Sequence, residues 1–555
     1  MSRRSSVCRC VLAVLAAALA LPGAVLAAEH RGGTFVALAT ANGGTADPQV
    51  NASAQFAQLF QVTQDGLTAF RKTAGAAASS VVADLATRLP RSADGGSTWT
   101  LQLRTGVRYA NGARVRPRDV RFTFERLFKV HAATAATLYG GLVGAPACLA
   151  NPATCTLVSG ITVTGRAIAF HLTRPDATWP RKLALPQAAL LPPSVGSGEI
   201  GTEVSRLTGT GPYYWASYAP ARQLILRRNP YFKVWAPAAQ PDGHVDRIVE
   251  RFGLGVEAEV TQVERGQADW VVDDVPADRL RELVSRFKPQ LHVNQLPAAW
   301  YVALNVNIKP FNQLAARQAV NLAIDRNKLV GIFGGAQRAA ATCQVLPPGL
   351  PGYSPYCPWT LGGSAPWSAP DLARAKQLVQ QSGMTGVRVD VVVADDDVQK
   401  AIGRYIQVVL FKLGFDPRVK ALPEGVQYPY VQNSRNRVQA GLAQWQQDYE
   451  PAPAALLDGL LGCDAFVPDS DSSPNISGFC DRKTVQPLIE QAVELDATDP
   501  GAAKPLWRQV DRRLTDLAVW LPLFNPKQID LVSKRVGNYR WSPQLHLMPS
   551  LLWMR

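Results

Sequence analysis

Between Val387 and Phe415 the chain changes its hydrophobic period twice. Val387, Val389, Val391 and Val393 alternate, as a strand requires. Ile402, Tyr405, Ile406, Val409 and Leu410 then recur at helical spacing up to Leu413-Gly414, and a second strand is expected from Phe415. Strand, helix and strand in such succession form a crossover, which returns the second strand parallel to the first. Helices must then cover the sheet, so this part of the chain is of α/β class. Asp395-Asp396-Asp397 stands where the strand gives way to the helix. A carboxylate there caps exposed backbone N–H groups and meets the positive end of the helix dipole. Three carboxylates in a row could also hold a metal ion, but the junction already accounts for them.

Other segments carry weaker versions of the same signals. Gly32-Gly33-Thr34-Phe35-Val36-Ala37-Leu38 reads as an opening strand. Trp99–Arg104 alternates apolar and polar after the turn residues Asp94-Gly95-Gly96, and Gln223–Arg228 alternates until Asn229-Pro230 stops it. Pro117-Arg118-Asp119-Val120 starts a helix that runs through Phe124 and Leu127 to Phe128. There is no internal repeat and no long low-complexity tract. A chain of 555 residues is too long for one hydrophobic core, so two or three domains are expected.

The first residues indicate export. Arg3, Arg4 and Arg9 precede an apolar stretch from Val11 to Ala20, and Val25-Leu26-Ala27 offers a small-residue cleavage site, so residues 1–27 read as a signal peptide. Pro22-Gly23 interrupts the apolar run before it reaches the ~20 residues of a membrane span. Arg3-Arg4 hints at twin-arginine export, but Ser-Ser-Val follows it poorly. Neither Cys8 nor Cys10 sits where a lipoprotein cysteine would follow cleavage. The other six cysteines fall in three local couples within Pro/Gly/Ser-rich stretches. Six cysteines allow fifteen pairings; local pairing, Cys148 with Cys155, Cys343 with Cys357 and Cys463 with Cys480, is the expectation for an oxidising compartment. No Cys-x-x-Cys or His-x-x-x-His spacing suggests zinc. The formal charge of +15 is spread along the chain without a basic block or a nucleic-acid motif. It reads as solubility with some attraction to anionic membrane surface, and no nucleic-acid partner is expected.

Catalytic constellations are scarce. The six histidines are isolated, and there is no nucleophile elbow, phosphate-binding loop or zinc-protease motif, which argues against an enzyme. One cluster suggests ligand binding: Gly441-Leu442-Ala443-Gln444-Trp445-Gln446-Gln447-Asp448-Tyr449-Glu450-Pro451 is a short strand running into aromatic and acidic residues. Strand edges can pair with an extended peptide, and a carboxylate can meet its ammonium group. Taken alone, Trp445 and Tyr449 read as ordinary core aromatics, and Asp448 as a helix or turn cap.

Motifs spread in order along the chain resemble those of a known family. They include Asp47-Pro48, Thr63-Gln64-Asp65-Gly66-Leu67, Asn111-Gly112, Arg118-Asp119-Val120 and Gly209-Thr210-Gly211-Pro212-Tyr213. Arg228-Asn229-Pro230-Tyr231-Phe232, Lys309-Pro310-Phe311, Arg317-Gln318-Ala319-Val320-Asn321-Leu322-Ala323-Ile324-Asp325-Arg326 and Trp520-Leu521-Pro522-Leu523 continue the series. The chain resembles the family 5 extracellular solute-binding proteins, the dipeptide-, oligopeptide- and nickel-binding components of ABC importers. The resemblance implies the class II periplasmic binding protein fold: two α/β lobes with the ligand in the cleft between them. Residues 28–300 would form the first lobe, with a subdomain inserted at about 68–205. Residues 301–526 would form the second, and 527–555 would return to the first.

In the oligopeptide binders of this family a Trp-x-x-Asp-Tyr segment lines the cleft, and its aspartate holds the α-ammonium. Trp445, Asp448 and Tyr449 match it, and Gln444 lies beside them; Ser53 and Ala54 fall where the opposing lobe offers backbone. The implied function is periplasmic capture of oligopeptides or dipeptides by a monomer, for delivery to a permease and an ATPase at the inner membrane. No cofactor is implied. The alternative ligand is a non-peptide solute such as an oligosaccharide or chelated metal; a bare nickel ion is disfavoured because no histidine-rich site exists.

Overall fold

The computed structural model describes residues 30–363, 365–447 and 452–555. The leader with its cleavage site, and Asp448, Tyr449, Glu450 and Pro451, lie outside the described residues. The opening strand, Thr34–Ala39, sits inside a five-stranded sheet, parallel to both Arg247–Phe252 and Trp270–Val271. It is apolar at successive positions because both of its faces are covered. Phe35 and Ala37 enter a core with Phe56, Phe60 and Trp215. Val36 and Leu38 enter another with Val260, Leu283 and, from near the end of the chain, Leu531. The hairpin of Tyr213–Ala219 and Gln223–Arg228 completes this sheet.

The crossover lies in a second, seven-stranded sheet. Arg388–Ala394 and Asp416–Leu422 pair in parallel, with Val391 opposite Val419, and helix Asp397–Leu413 connects them. Of the three aspartates, Asp396 is the cap: its side chain accepts the Gln399 N–H at 2.8 Å. Gly414 ends the helix at φ 96°, a left-handed conformation that glycine alone adopts freely. Ile402, Ile406, Val409 and Leu410 are buried on the sheet. Tyr405 is half-buried, and its hydroxyl accepts the Asp325 N–H at 2.9 Å. Ala440–Gln446 and Ala298–Leu304 carry the sheet onward from Arg388–Ala394.

A third unit has its own core. Thr98–Gln102, Ala167–His171 and Ile161–Thr164 form a small antiparallel sheet beneath helix Pro117–Lys129, and Trp99, Phe124, Phe170 and Trp179 fill the space between. Arg126 of that helix is fully buried and binds both carboxylate oxygens of Asp47, at 3.1 and 2.5 Å. This pair fastens the third unit to the segment that precedes the first long helix.

The two large sheets are joined by extended chain. Trp520–Leu531 pairs with Ala298–Leu304 in its first half (Ala303 opposite Trp520) and with Leu291–Gln295 in its second (Leu291 opposite Leu531). Val532, the next residue, bridges to Trp270 at the edge of the first sheet. Away from these strands, Arg181 of the third unit meets Asp496 of helix Gln486–Thr498 at 3.5 Å. The three cysteine couples are disulfides with the expected local pairing; their Cα atoms lie 4.4, 5.0 and 4.5 Å apart.

Candidate solute-binding cleft

Helix Ala54–Thr63 starts at Ser53, whose hydroxyl accepts the Phe56 N–H at 3.3 Å. Ala54, Ala57, Phe60 and Gln61 of this helix, with Gln64 just beyond it, form one wall of a cavity of about 190 Å³. Gln446 and Gln447, at the end of strand Ala440–Gln446, close it from the second sheet. Gln187, the C-terminal segment Gln544–His546 and apolar residues such as Phe70, Leu185 and Pro186 also line it. Strands that end at a cleft present polar backbone and side chains without a neighbour to satisfy them, which is where ligands bind in α/β proteins.

Seven glutamines are among the residues that line this cavity. Gln61 donates through Nε2 to the carbonyls of Leu545 (2.8 Å) and Leu547 (3.1 Å), while its Oε1 has no partner. Oε1 of Gln187 and of Gln447 are likewise unpartnered, and both amide atoms of Gln64 and of Gln544 are. Gln64 is also held in place: a Cβ on residue 209 would lie 2.6 Å from its Oε1, so Gly209 lets the amide rest on bare backbone.

Charge at the floor is compensated internally. Lys72 Nζ donates to the Gln61 carbonyl and to Gln240 Oε1, and faces Asp65 and Asp84. Asp65 accepts from Thr210 at 2.7 Å and Gln240 at 2.5 Å, and Asp84 from Trp235 at 2.7 Å. Burial pushes Lys72 down to about 8 and both carboxyls up, against the mutual attraction of ammonium and carboxylate. His546 is pushed down to about 4 by burial and is therefore neutral near pH 7; its Nδ1 lies 2.8 Å from Gln528 Oε1 on the joining strand.

The residues read from sequence are distributed unevenly. Ala54 lines the cavity, whereas Ser53 is engaged as a helix cap. Trp445 is half-buried and packs on the core that contains Tyr301 and Trp520, and Gln444 lies in a separate recess with Trp300, Gln399 and Tyr428. Asp448 and Tyr449 lie outside the described residues, directly after Gln447 in the chain. Gln61, Gln64, Gln187, Gln447, Gln544, His546 and Lys72 were not singled out from sequence. The one available signal was glutamine at every third position, Gln55, Gln58, Gln61 and Gln64, along an otherwise apolar helix.

Residues 80–466 match the family model described as bacterial extracellular solute-binding proteins, family 5 middle. Di/tripeptide-binding protein 1 of Pseudomonas aeruginosa is 23% identical over 485 residues, covering 81% of this chain and 82% of that protein. The periplasmic oligopeptide-binding protein OppA of Salmonella typhimurium is 22% identical over 465 residues, covering 80% and 79%. Among solved structures, the clavulanic acid biosynthesis oligopeptide binding protein 2 superposes with a TM-score of 0.81 at 23% identity, over 95% of this chain and 96% of that one. The unliganded open form of the murein tripeptide binding protein MppA gives 0.78 at 18% identity, over 94% and 97%. The fold is that of the two-lobed periplasmic binding proteins.

Proposed function

The chain belongs to the bacterial extracellular solute-binding proteins of family 5, and from that premise we propose that it captures peptides in the periplasm for an ABC importer. It is a transport binding protein and not an enzyme. The observation that carries the peptide reading is the cleft wall, to which helix Ala54–Thr63 of one large unit and the end of strand Ala440–Gln446 of the other both contribute. An extended peptide between them pairs its backbone with a strand end without regard to side chain. Residues 28–300, with an insertion at about 68–205 and the return of 527–555, form one lobe; 301–526 form the other. Both boundaries fall within the paired joining strands, so bending there closes the lobes over the ligand. The closed monomer then docks on a permease, and an ATPase on a separate chain drives release.

Asp448 holds the peptide's α-ammonium, and Trp445 and Tyr449 supply apolar contact beside it. This assignment is supported by the matching sequence pattern and by the chain position of Asp448, one residue past Gln447 on the cleft wall. Mass spectrometry of small molecules released from the natively purified, exported protein is the direct test, with peptides as the expected product. Asp448→Asn is expected to weaken free-amine peptides at least tenfold and to leave N-acetylated ones nearly unchanged in calorimetric titration. Equal losses for both would remove Asp448 from the site, and release of an oligosaccharide or metal chelate would replace the peptide as ligand.

A further inference from the structure

Strand Ala440–Gln446 has an open edge. On one side it pairs with Ala298–Leu304 over its whole length, but on the other it pairs with Arg388–Ala394 only at Ala440 and Gly441. From Leu442 onward that second edge has no strand beside it among the described residues, and Gln427 Nε2 donates to the Leu442 carbonyl at 2.8 Å. A recess of about 290 Å³ lies along this stretch. Leu442, Ala443 and Gln444 of the strand line it, with Trp300, Glu424 and Tyr428 from neighbouring elements. Trp300 stands directly opposite Gln444 in the ladder, so both project from one face of the sheet. Gln446, on the same face about 7 Å further along the strand, lines the first cavity. A peptide added to this edge passes the recess and sets a side chain in it.

The lining specifies the chemistry of that side chain. Leu442 and Ala443 are buried, and the rings of Trp300 and Tyr428 are half-buried. Glu424 is exposed, and its carboxylate makes no ion pair or hydrogen bond to another described residue. Of the lysines on adjoining elements, Lys400 pairs with Asp395 (2.8 Å) and Asp397 (3.6 Å), and Lys420 donates to the Tyr430 hydroxyl at 2.8 Å. An anionic side chain in the recess would meet Glu424 and, just past Ala394 of the lining, the run Asp395-Asp396-Asp397. An apolar side chain would cover the rings but gain nothing from the carboxylate. A lysine or arginine uses both. Its aliphatic stem packs on the apolar lining, its charge is attracted to the ring faces, and its head stays at the exposed rim against Glu424.

We propose that this recess is a subsite for a lysine or arginine side chain of the bound peptide, with Glu424 as its specificity-determining residue. The proposal rests on the peptide reading above and narrows it. Its test is calorimetric titration of the full mature protein, freed of carried ligand by reversible unfolding. The probes are alanine pentapeptides with a single Lys, Glu or Leu at each position in turn. At one position the Lys peptide is expected to bind at least fivefold tighter than its Glu and Leu counterparts. Glu424→Gln is expected to bring that ratio toward one, and Glu424→Asp to retain part of it; binding of the Leu peptide by the same variants reports that they are folded. Pentapeptides that bind with no preference for Lys at any position overturn the subsite and leave the peptide reading standing. A Lys preference that Glu424→Gln does not change overturns the assignment to this recess. Failure of every pentapeptide overturns both the subsite and the peptide reading.

Discussion

Arg126 and Asp47 have no exposed side-chain surface, and the guanidinium spends its remaining donors on Gln49 Oε1 (2.7 Å) and the carbonyls of Gly196 (2.8 Å) and Gly198 (2.7 Å). A buried pair of this kind adds little over a well-packed apolar pair, but removing one member strands a charge in a medium that cannot solvate it. Asp47→Asn is therefore expected to cost about 3–5 kcal/mol in urea unfolding. Replacing both residues by apolar ones of similar volume is expected to cost much less, and equal losses would contradict this account of the pair. Arg326 makes a contrast. It is also fully buried, but it donates to backbone carbonyls, among them Thr342 (2.7 Å) and Pro522 (3.0 Å), and to Asn321 Oδ1 (3.2 Å). Burial without a facing carboxylate holds its guanidinium down to about 9.

Strand Trp520–Leu531 pairs with a different strand along each of its halves and leads directly to the edge of the first sheet. Near its end, Asp530 accepts from Trp270 (3.2 Å) on the first sheet, from Asn294 (3.0 Å) on the neighbouring joining strand, and from the Tyr539 hydroxyl. One buried carboxyl thus ties three segments together near the proposed hinge. Asp530→Ala removes the acceptor of Trp270 and of the Tyr539 hydroxyl, and leaves Asn294 only its bond to that hydroxyl (2.7 Å). Backbone amides of Leu291–Gln295 are then expected to exchange with solvent at least tenfold faster, while those of the distant helix Asp397–Leu413 are unchanged. Uniform acceleration across both would mean that the substitution destabilises the whole fold and not the hinge. The crossover around that helix was legible in the sequence, because alternating valines and an i, i+4 apolar face report local geometry directly. The joining strand was legible only as the Trp520-Leu521-Pro522-Leu523 motif, since a strand that serves two sheets shows no change of period where it passes from one to the other.

For the molecule as a whole, several buried carboxyls set the response to pH. Burial pushes Glu250 and Asp511 up to about 7 and Glu259 up to about 8. Each keeps its proton in the folded state after losing it in the unfolded chain, so folding is favoured at low pH and the advantage is lost as pH rises through these values. The slope is about 1.4 kcal/mol per pH unit for each such group. His546 opposes this only below its unfolded value, where the unfolded chain binds a proton that the buried imidazole refuses. Thermal stability is therefore expected to fall between pH 6.5 and pH 8, and Glu259→Gln is expected to flatten the decline. A rise over that interval would show that other charges dominate.

The sequence by itself determined the α/β class, the capped crossover helix and the family, and it gave local cysteine pairing as an expectation. Each of these depends on neighbours in the chain, on spacings that a helix or strand imposes, or on motifs kept in order. What only the tertiary structure decided was which side chains meet in the cleft. Gln61, Gln187, Gln447 and Gln544 are spread over more than 480 positions, and no pattern in the chain links them. They share one cavity because helix Ala54–Thr63, the end of strand Ala440–Gln446 and the C-terminal segment converge there. Trp445, read as a cleft residue from its motif, is half-buried and packs on the core with Tyr301 and Trp520, while Gln446 and Gln447 line the cavity. A glutamine is an ordinary surface residue until packing removes its water, and whether that happens is settled by the fold around it.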